Sequence, residues 1–397
     1  MDMSVVAMEL LKGIGFFFLH PLFYILLLFS FYLGYKRVQR ERNNFHTRVY
    51  DVVDDILVPL FPGLLAGFVL SILVIGIGIA IPIGVIALYA LVYGAILITG
   101  QARWLSSAYS GGLTLLIALV LPEFETGLLV IDRWITEIHT AELSGLALLT
   151  SFLLIVEGLL ILKNGSKKTS PTLLNSKRGK VVGAHEAGRV WILPIFFLLP
   201  AGPLFPTEYW PLLNLELSQI GLMAVPFAIG FQQVIRSTLP VHAIISNGKR
   251  VLLVATIVLA LSILSLYLPI FIPFVALTAI IGRQIVATLL KMSEEKQANF
   301  YTQKETGLVI LGVLPHSPAE KMNVKIGEIV TKVNGVRIRS AQQFYEALQL
   351  KSAFCKLEVI DENGELRFAQ TALYDGEHHQ VGLLFVGEES QFEDKVM

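Results

Sequence analysis

The first 292 residues form a succession of apolar runs, most of them near the length of a membrane-spanning helix, separated by short polar loops. Crossing the hydrocarbon layer as a helix takes about 20 apolar residues. The runs 14–35, 57–79, 82–100, 104–121, 143–162, 190–206, 211–234, 251–268 and 270–290 approach or meet that length. Overall, 54% of the residues are hydrophobic and 16% charged, an apolar excess that no water-exposed surface could carry. The fold class expected is therefore a polytopic α-helical membrane domain of about eight or nine spans. Proline removes a helix donor and clashes with the preceding turn, so Pro82, Pro203 and Pro269 mark the turns where runs fold back.

The formal net charge is +0, so the distribution of charge carries the information, and no nucleic-acid partner is expected. Lys36, Arg37, Arg40, Arg42 and Arg48 form one basic loop, and Lys163, Lys167, Lys168, Lys177, Arg178 and Lys180 another. Both belong on the cytoplasmic side by the positive-inside tendency, and Arg103, Arg236, Lys249 and Arg250 fall there too. The acidic stretch with Glu123, Glu125, Asp132, Glu137 and Glu142 suits the outer side. Nine spans place the N-terminus outside and the C-terminal region in the cytoplasm. The first run is too long for a signal-peptide core, so no cleavable signal is expected. The single cysteine, Cys355, excludes an intramolecular disulfide and a cysteine-based zinc site.

Three features raise the question of chemistry. His185-Glu186 beside an apolar run suggests an intramembrane zinc protease, but the second histidine of an HExxH site is replaced by Arg189, whose charge repels Zn²⁺. The expectation is that His185 and Glu186 cap a loop while Arg189 anchors a helix end at the headgroups. The small residues Ser110, Gly111 and Gly112 fit close helix packing better than a serine nucleophile. Ionisable groups within spans count as functional hypotheses by default. Among Glu157, Glu216, Arg236 and Arg283, structural pairing is preferred over a transport path, with Lys163 as the partner expected for Glu157. No catalytic residue, metal or cofactor is expected.

From Ser293 onward charged residues recur every few positions, which sets domain bounds at 1–292 (membrane), 293–304 (linker), 305–387 (C-terminal domain) and 388–397 (acidic tail). Gly307 to Val313 alternates as a strand, Asn334-Gly335 reads as a hairpin turn, and Ser340 is a suitable N-cap for a helix. Ser317-Pro318-Ala319, Gly327-Glu328-Ile329 and Val333-Asn334-Gly335 stand at the spacings of PDZ domains, so this region resembles an α+β PDZ domain in the circularly permuted bacterial order. It departs from the family at Met322-Asn323, where a glycine is usual, and at Glu328, where aspartate is. PDZ domains bind an extended peptide as an added strand beside a helix. The resemblance assigns the peptide to the loop and strand Gly382, Leu383, Leu384 and Phe385, and to Gln343, Ala347 and Leu350 on the facing helix. Leu384 and Ala347 fit a core role equally well.

The layout as a whole, with the opening span around Phe16 to Tyr24, resembles the MinJ-like family of division-site adaptors. That resemblance implies a cell-membrane scaffold, at septum and poles, joining a DivIVA-like polar protein to a MinD-like ATPase and confining the FtsZ ring. It also implies contact with other division-machinery membrane proteins, and the basic loops, especially residues 163–189, are expected to attract anionic membrane lipids. Two alternatives stay open: a non-catalytic, substrate-presenting partner of an intramembrane protease, and a transporter with a regulatory PDZ domain.

Overall fold

The computed structural model describes residues 3–176, 179–206, 210–213, 218–350, 353–373 and 381–386. Helix α1 (Met3–Leu19) meets α2 (Pro21–Phe45) at a bend of 50°. Pro21 takes the first helical position, where no N–H is needed, and His20 caps the helix by accepting from Leu22 N at 3.2 Å. Helices α3 (Asp54–Ile77), α4 (Ile83–Leu97), α5 (Ser107–Val120), α6 (Leu129–His139) and α7 (Leu143–Asn164) follow. Strands β1 (Ser170–Asn175), β2 (Val181–Leu204) and β3 (Ile220–Ile235) come next, then helices α8 (Pro240–Tyr267) and α9 (Ile272–Lys296).

Four helices among the described residues are long and apolar enough to cross a membrane: α3, α7, α8 and α9 with its preceding turn. The bent α1–α2 pair makes five if it is one span. Helices α4 and α5, at 15 and 14 residues, rise about 20 Å, short of the roughly 30 Å hydrocarbon layer.

Two predicted spans, 190–206 and 211–234, are not helices. They fall largely in β2 and β3, which pair antiparallel in a sheet of order β1-β2-β3. Strands at membrane depth are tolerable only where protein covers their backbone, and here helices do so. Phe196 N donates to Ser71 Oγ at 2.9 Å, so the even-numbered residues of this part of β2 turn their N–H toward α3. Pro194 is one of them, and its missing donor leaves the ladder to β3 intact. A Cβ added at Gly63 would lie 2.7 Å from Ile192 O, and one at Gly67 2.7 Å from Pro194 O. Gly63, Gly67 and Ser71 advance about 6 Å per four helical residues, which matches about 6.6 Å per two strand residues for Ile192, Pro194 and Phe196. That match lets a notched helix seal a sheet edge.

At the opposite edge α4 covers β3, where Tyr93 Oη donates to Ala228 O at 2.9 Å and the Tyr89 ring lies 5.0 Å from that of Phe227.

The C-terminal domain has its own core. Its elements are β4 (Leu308–Val313), α10 (Pro318–Lys321), β5 (Ile329–Val333), β6 (Val336–Arg337), α11 (Ala341–Gln349), β7 (Phe354–Ile360), β8 (Leu366–Ala372) and β9 (Leu383–Phe385). The sheet order is β8-β7-β5-β4-β9, with β6 paired to β5, so the last strand lies beside the first. The turn chemistry explains the local path. Asn334 and Gly335 both take positive φ, 51° and 86°, as a two-residue hairpin turn requires. Ser340 Oγ accepts from Gln343 N at 3.2 Å and starts α11. Asn323 adopts φ 53° after α10, doing the work of the missing glycine. Glu328 accepts from Lys325 N at 2.9 Å and from Arg367 at 2.8 and 2.6 Å.

Candidate peptide-binding site

Strand β9 ends the sheet of the C-terminal domain among the described residues, paired antiparallel with β4 on one side. Helix α11 packs beside it through Phe344, whose ring is 5.1 Å from that of Phe385. Gly382 opens the strand at φ 87°, and any Cβ there would collide with Ser317. Its carbonyl accepts from Leu314 N at 2.8 Å. The seven residues assigned to peptide binding are brought to one region but do not share one face. Gln343 on α11 and Leu350 at its C-cap are exposed, whereas Ala347, Leu383 and Phe385 are buried in the domain core. Leu384 faces the opposite way, into a cluster with Val309, Leu311, Tyr301, Phe45 and Val49. The acidic tail 388–397 lies outside the described residues, as does Glu216.

That second cluster is an interface with the membrane block, which the spacing in the sequence does not show. Gly183 N donates to Tyr301 O at 2.9 Å and Phe300 N to Arg236 O at 2.7 Å. His185 bonds Leu311 O through Nε2 at 2.8 Å and Thr169 Oγ1 through Nδ1 at 3.1 Å. A carbonyl only accepts, so Nε2 carries the proton and Nδ1 accepts from the threonine hydroxyl. The histidine expected to cap a loop is instead a buried link from β2 to the C-terminal domain. Glu186 likewise lies on β2, where Arg40 donates to it, and Gln232 Nε2 does so at 2.6 Å. Arg189, expected at the headgroups, is buried; its guanidinium donates to Lys167 O, to Lys168 O at 3.1 Å and to Gly188 O at 2.6 Å. Strand pairing in place of a helix end accounts for all three differences. Among the described residues no group of three or more His, Cys, Asp or Glu side chains could hold a metal ion.

Burial pushes the His185 imidazole down to about 4 from its ordinary 6.5. The folded chain therefore keeps it neutral while an unfolded chain binds a proton below about pH 6.5. This group's contribution is full above that pH and declines as pH falls toward about 4. Thermal unfolding of the full chain between about pH 7 and 4.5 is expected to show that slope, and His185→Gln to flatten it.

Glu157 is held by Arg283 rather than by Lys163. Arg283 Nε donates to Oε1 at 2.9 Å, while Oε2 accepts from Ser106 Oγ, Ser107 N and Ser107 Oγ at 2.7, 2.9 and 2.7 Å. Arg283 lies two turns deeper in α9 than Lys291, a reach across the bundle that no local spacing in the sequence reveals.

The interface fixes which end of the helical bundle carries the domain. Lys168 pairs with Asp54 at 2.8 Å, and Arg37 pairs with Asp55 and Glu41, each at 2.8 Å. Arg103, Arg236 and Lys291 line one cavity close by. The two basic loops and the C-terminal domain thus share one end, and the acidic helix α6 reaches the start of α4 at the other, where Glu137 accepts from Gly84 N at 2.7 Å.

Apolar helices around a buried hairpin, with a small sheet-and-helix domain bonded to one end, define a membrane protein carrying a C-terminal PDZ domain. The PDZ domain family matches residues 309–360. Over 397 residues the chain is 36% identical to the "Cell division topological determinant MinJ" of Bacillus subtilis (strain 168), covering 98% of this chain and 97% of that protein. It is 26% identical over 404 residues to the "Probable cell division topological determinant MinJ" of Lacticaseibacillus paracasei, covering 98% and 100%. The chain belongs to the MinJ family of cell division topological determinants. No solved structure matches it.

Proposed function

We propose that this protein is a non-catalytic adaptor of division-site selection, with its PDZ domain on the cytoplasmic side, at septum and poles. It links a DivIVA-like polar protein to a MinD-like ATPase and so restricts FtsZ-ring assembly to midcell. The observation that carries this reading is the edge strand β9, paired on one side only among the described residues, on a domain bonded to the basic end of a membrane block. An extended segment of a partner adds to that edge and lies against α11. Gln343 and Leu350 form its exposed wall, the backbone of Leu383, Leu384 and Phe385 its pairing edge, and Gly382 its carboxylate end, with the Ala347, Leu383 and Phe385 side chains in the core behind. The side chain of Leu384 serves the interface instead. Family membership supports the role in division, and the clustering of basic loops supports the cytoplasmic side.

Deletion followed by microscopy tests the role: filamentous cells with misplaced division proteins support it, whereas normal division with altered solute uptake or accumulated membrane-protein fragments rejects it. For the groove, Leu350 is 73% exposed, so Leu350→Glu is expected to leave the full-length protein in the membrane at normal levels. Recruitment of its partners to the septum should fall about tenfold, and unchanged recruitment would remove α11 from the site.

A further inference from the structure

Between β3, α8 and α9, at the basic end of the bundle, lies a cavity of about 680 Å³ that the peptide groove does not use. Its size falls within the range of small-molecule sites. Arg103, Arg236, Arg283 and Lys291 line it against two carboxylates, Glu294 and Glu295. Glu294 is engaged, because Oε2 accepts from the backbone N–H groups of Arg236 and Ser237, each at 2.9 Å. Arg283 is already paired with Glu157, so Arg103, Arg236 and Lys291 face Glu294 and Glu295, and the lining keeps an excess of one positive charge.

Two amides in the wall have unmet needs. Asn247, 3% exposed, donates Nδ2 to Gln233 Oε1 at 2.8 Å, which leaves Asn247 Oδ1 without a donor and Gln233 Nε2 without an acceptor, both buried. Exchanging N and O in both amides leaves the same deficit of one donor and one acceptor. A hydroxyl supplies both at once, and a phosphate suits the cations.

The surroundings point to hydrocarbon rather than to open water. Ile281, Ile285 and Leu289 are exposed by 52, 51 and 50% at four-residue spacing on α9, alongside Gln284 and Thr288 of the cavity wall. Trp104 also lines the cavity, with the Arg103 guanidinium 4.8 Å from its ring, as aromatic and basic residues do at headgroup depth. We propose that this cavity binds the headgroup of an anionic glycerophospholipid. The phosphate sits among the cations, a headgroup hydroxyl bridges Gln233 and Asn247, and the acyl chains run along the apolar stripe of α9.

The test uses the full-length protein, stripped of lipid in a non-ionic detergent, with bound lipid counted by native mass spectrometry. Phosphatidylglycerol is expected to bind at least about tenfold better than phosphatidylcholine. The Arg103→Gln/Lys291→Gln double variant, altered only at exposed side chains, should lose that preference, and Arg103→Lys/Lys291→Arg should keep it. Equal binding of the two lipids, or a preference unchanged in the double glutamine variant, overturns the site. Glycerol 3-phosphate binding as tightly as phosphatidylglycerol overturns the lipid assignment in favour of a soluble polyol phosphate.

Discussion

Gly67→Leu is expected to prevent assembly of the membrane block. A side chain at this position meets Pro194 Cδ and Pro194 O, each at 2.7 Å, and neither the strand backbone nor the proline ring can move aside. Relief requires β2 to leave α3, which exposes the N–H of Phe196 that Ser71 now satisfies. Overpacking alone costs about 1–3 kcal/mol, and an unsatisfied backbone donor in hydrocarbon costs several more. The variant is expected to be degraded, or to show no cooperative unfolding in detergent. Gly76, on the same helix, has nothing within 4 Å of its Cβ position, so Gly76→Leu is the control and should behave as wild type. If both variants unfold alike, the loss is not specific to the sealed sheet edge, since leucine is the better helix former at either position.

The Glu157–Arg283 pair is the second place where one substitution should be severe. Both side chains are buried, at 0 and 6% side-chain exposure, and four donors satisfy the carboxylate. Removing one partner strands a charge in the bundle, at a cost of about 3–5 kcal/mol. Glu157→Leu and Arg283→Met should each lower the unfolding temperature strongly, whereas the double variant should recover much of the loss. A double-mutant cycle measured by thermal unfolding in detergent checks this, and strictly additive losses would mean the two groups act independently.

How much of this could be read from the chain depends on the range of the interactions involved. The PDZ domain was legible because its signals are local: a turn dipeptide at Asn334-Gly335 and a helix cap at Ser340. The alternation expected through β4 is absent, because its two faces are buried in different clusters. The hairpin was not legible, since a strand enclosed by apolar helices is as greasy as a span. The signals against a helix were Pro194 and Pro200 within one run and Pro226 with Gly230 in the other. The predicted spans leave Pro194 and Pro226 inside helices and take only the region of Pro203 as a turn, although Pro194 and Pro226 stand opposite each other in the ladder. The linker misled for a different reason. Its charges describe the last turn of α9, while Phe300 and Tyr301, a few residues on, pack into the interface. Of the seven proposed groove residues, the alternation that sends Leu384 away from Leu383 and Phe385 follows from strand geometry. What covers each face depends on the docking of two domains and leaves no trace in spacing.

The bond between β2 and the C-terminal domain also determines how a partner is met. A receptor on a flexible tether samples a volume and binds whatever enters it, at any angle. Here the attachment is made of Tyr301, Gly183, His185 and Leu311, with no slack between them. The proposed groove would consequently keep one height and one heading relative to the helical bundle, and a ligand segment would have to emerge from its own protein at a matching distance and direction. Selectivity among partners can thus come from stand-off and approach angle as well as from the residues that enter the groove.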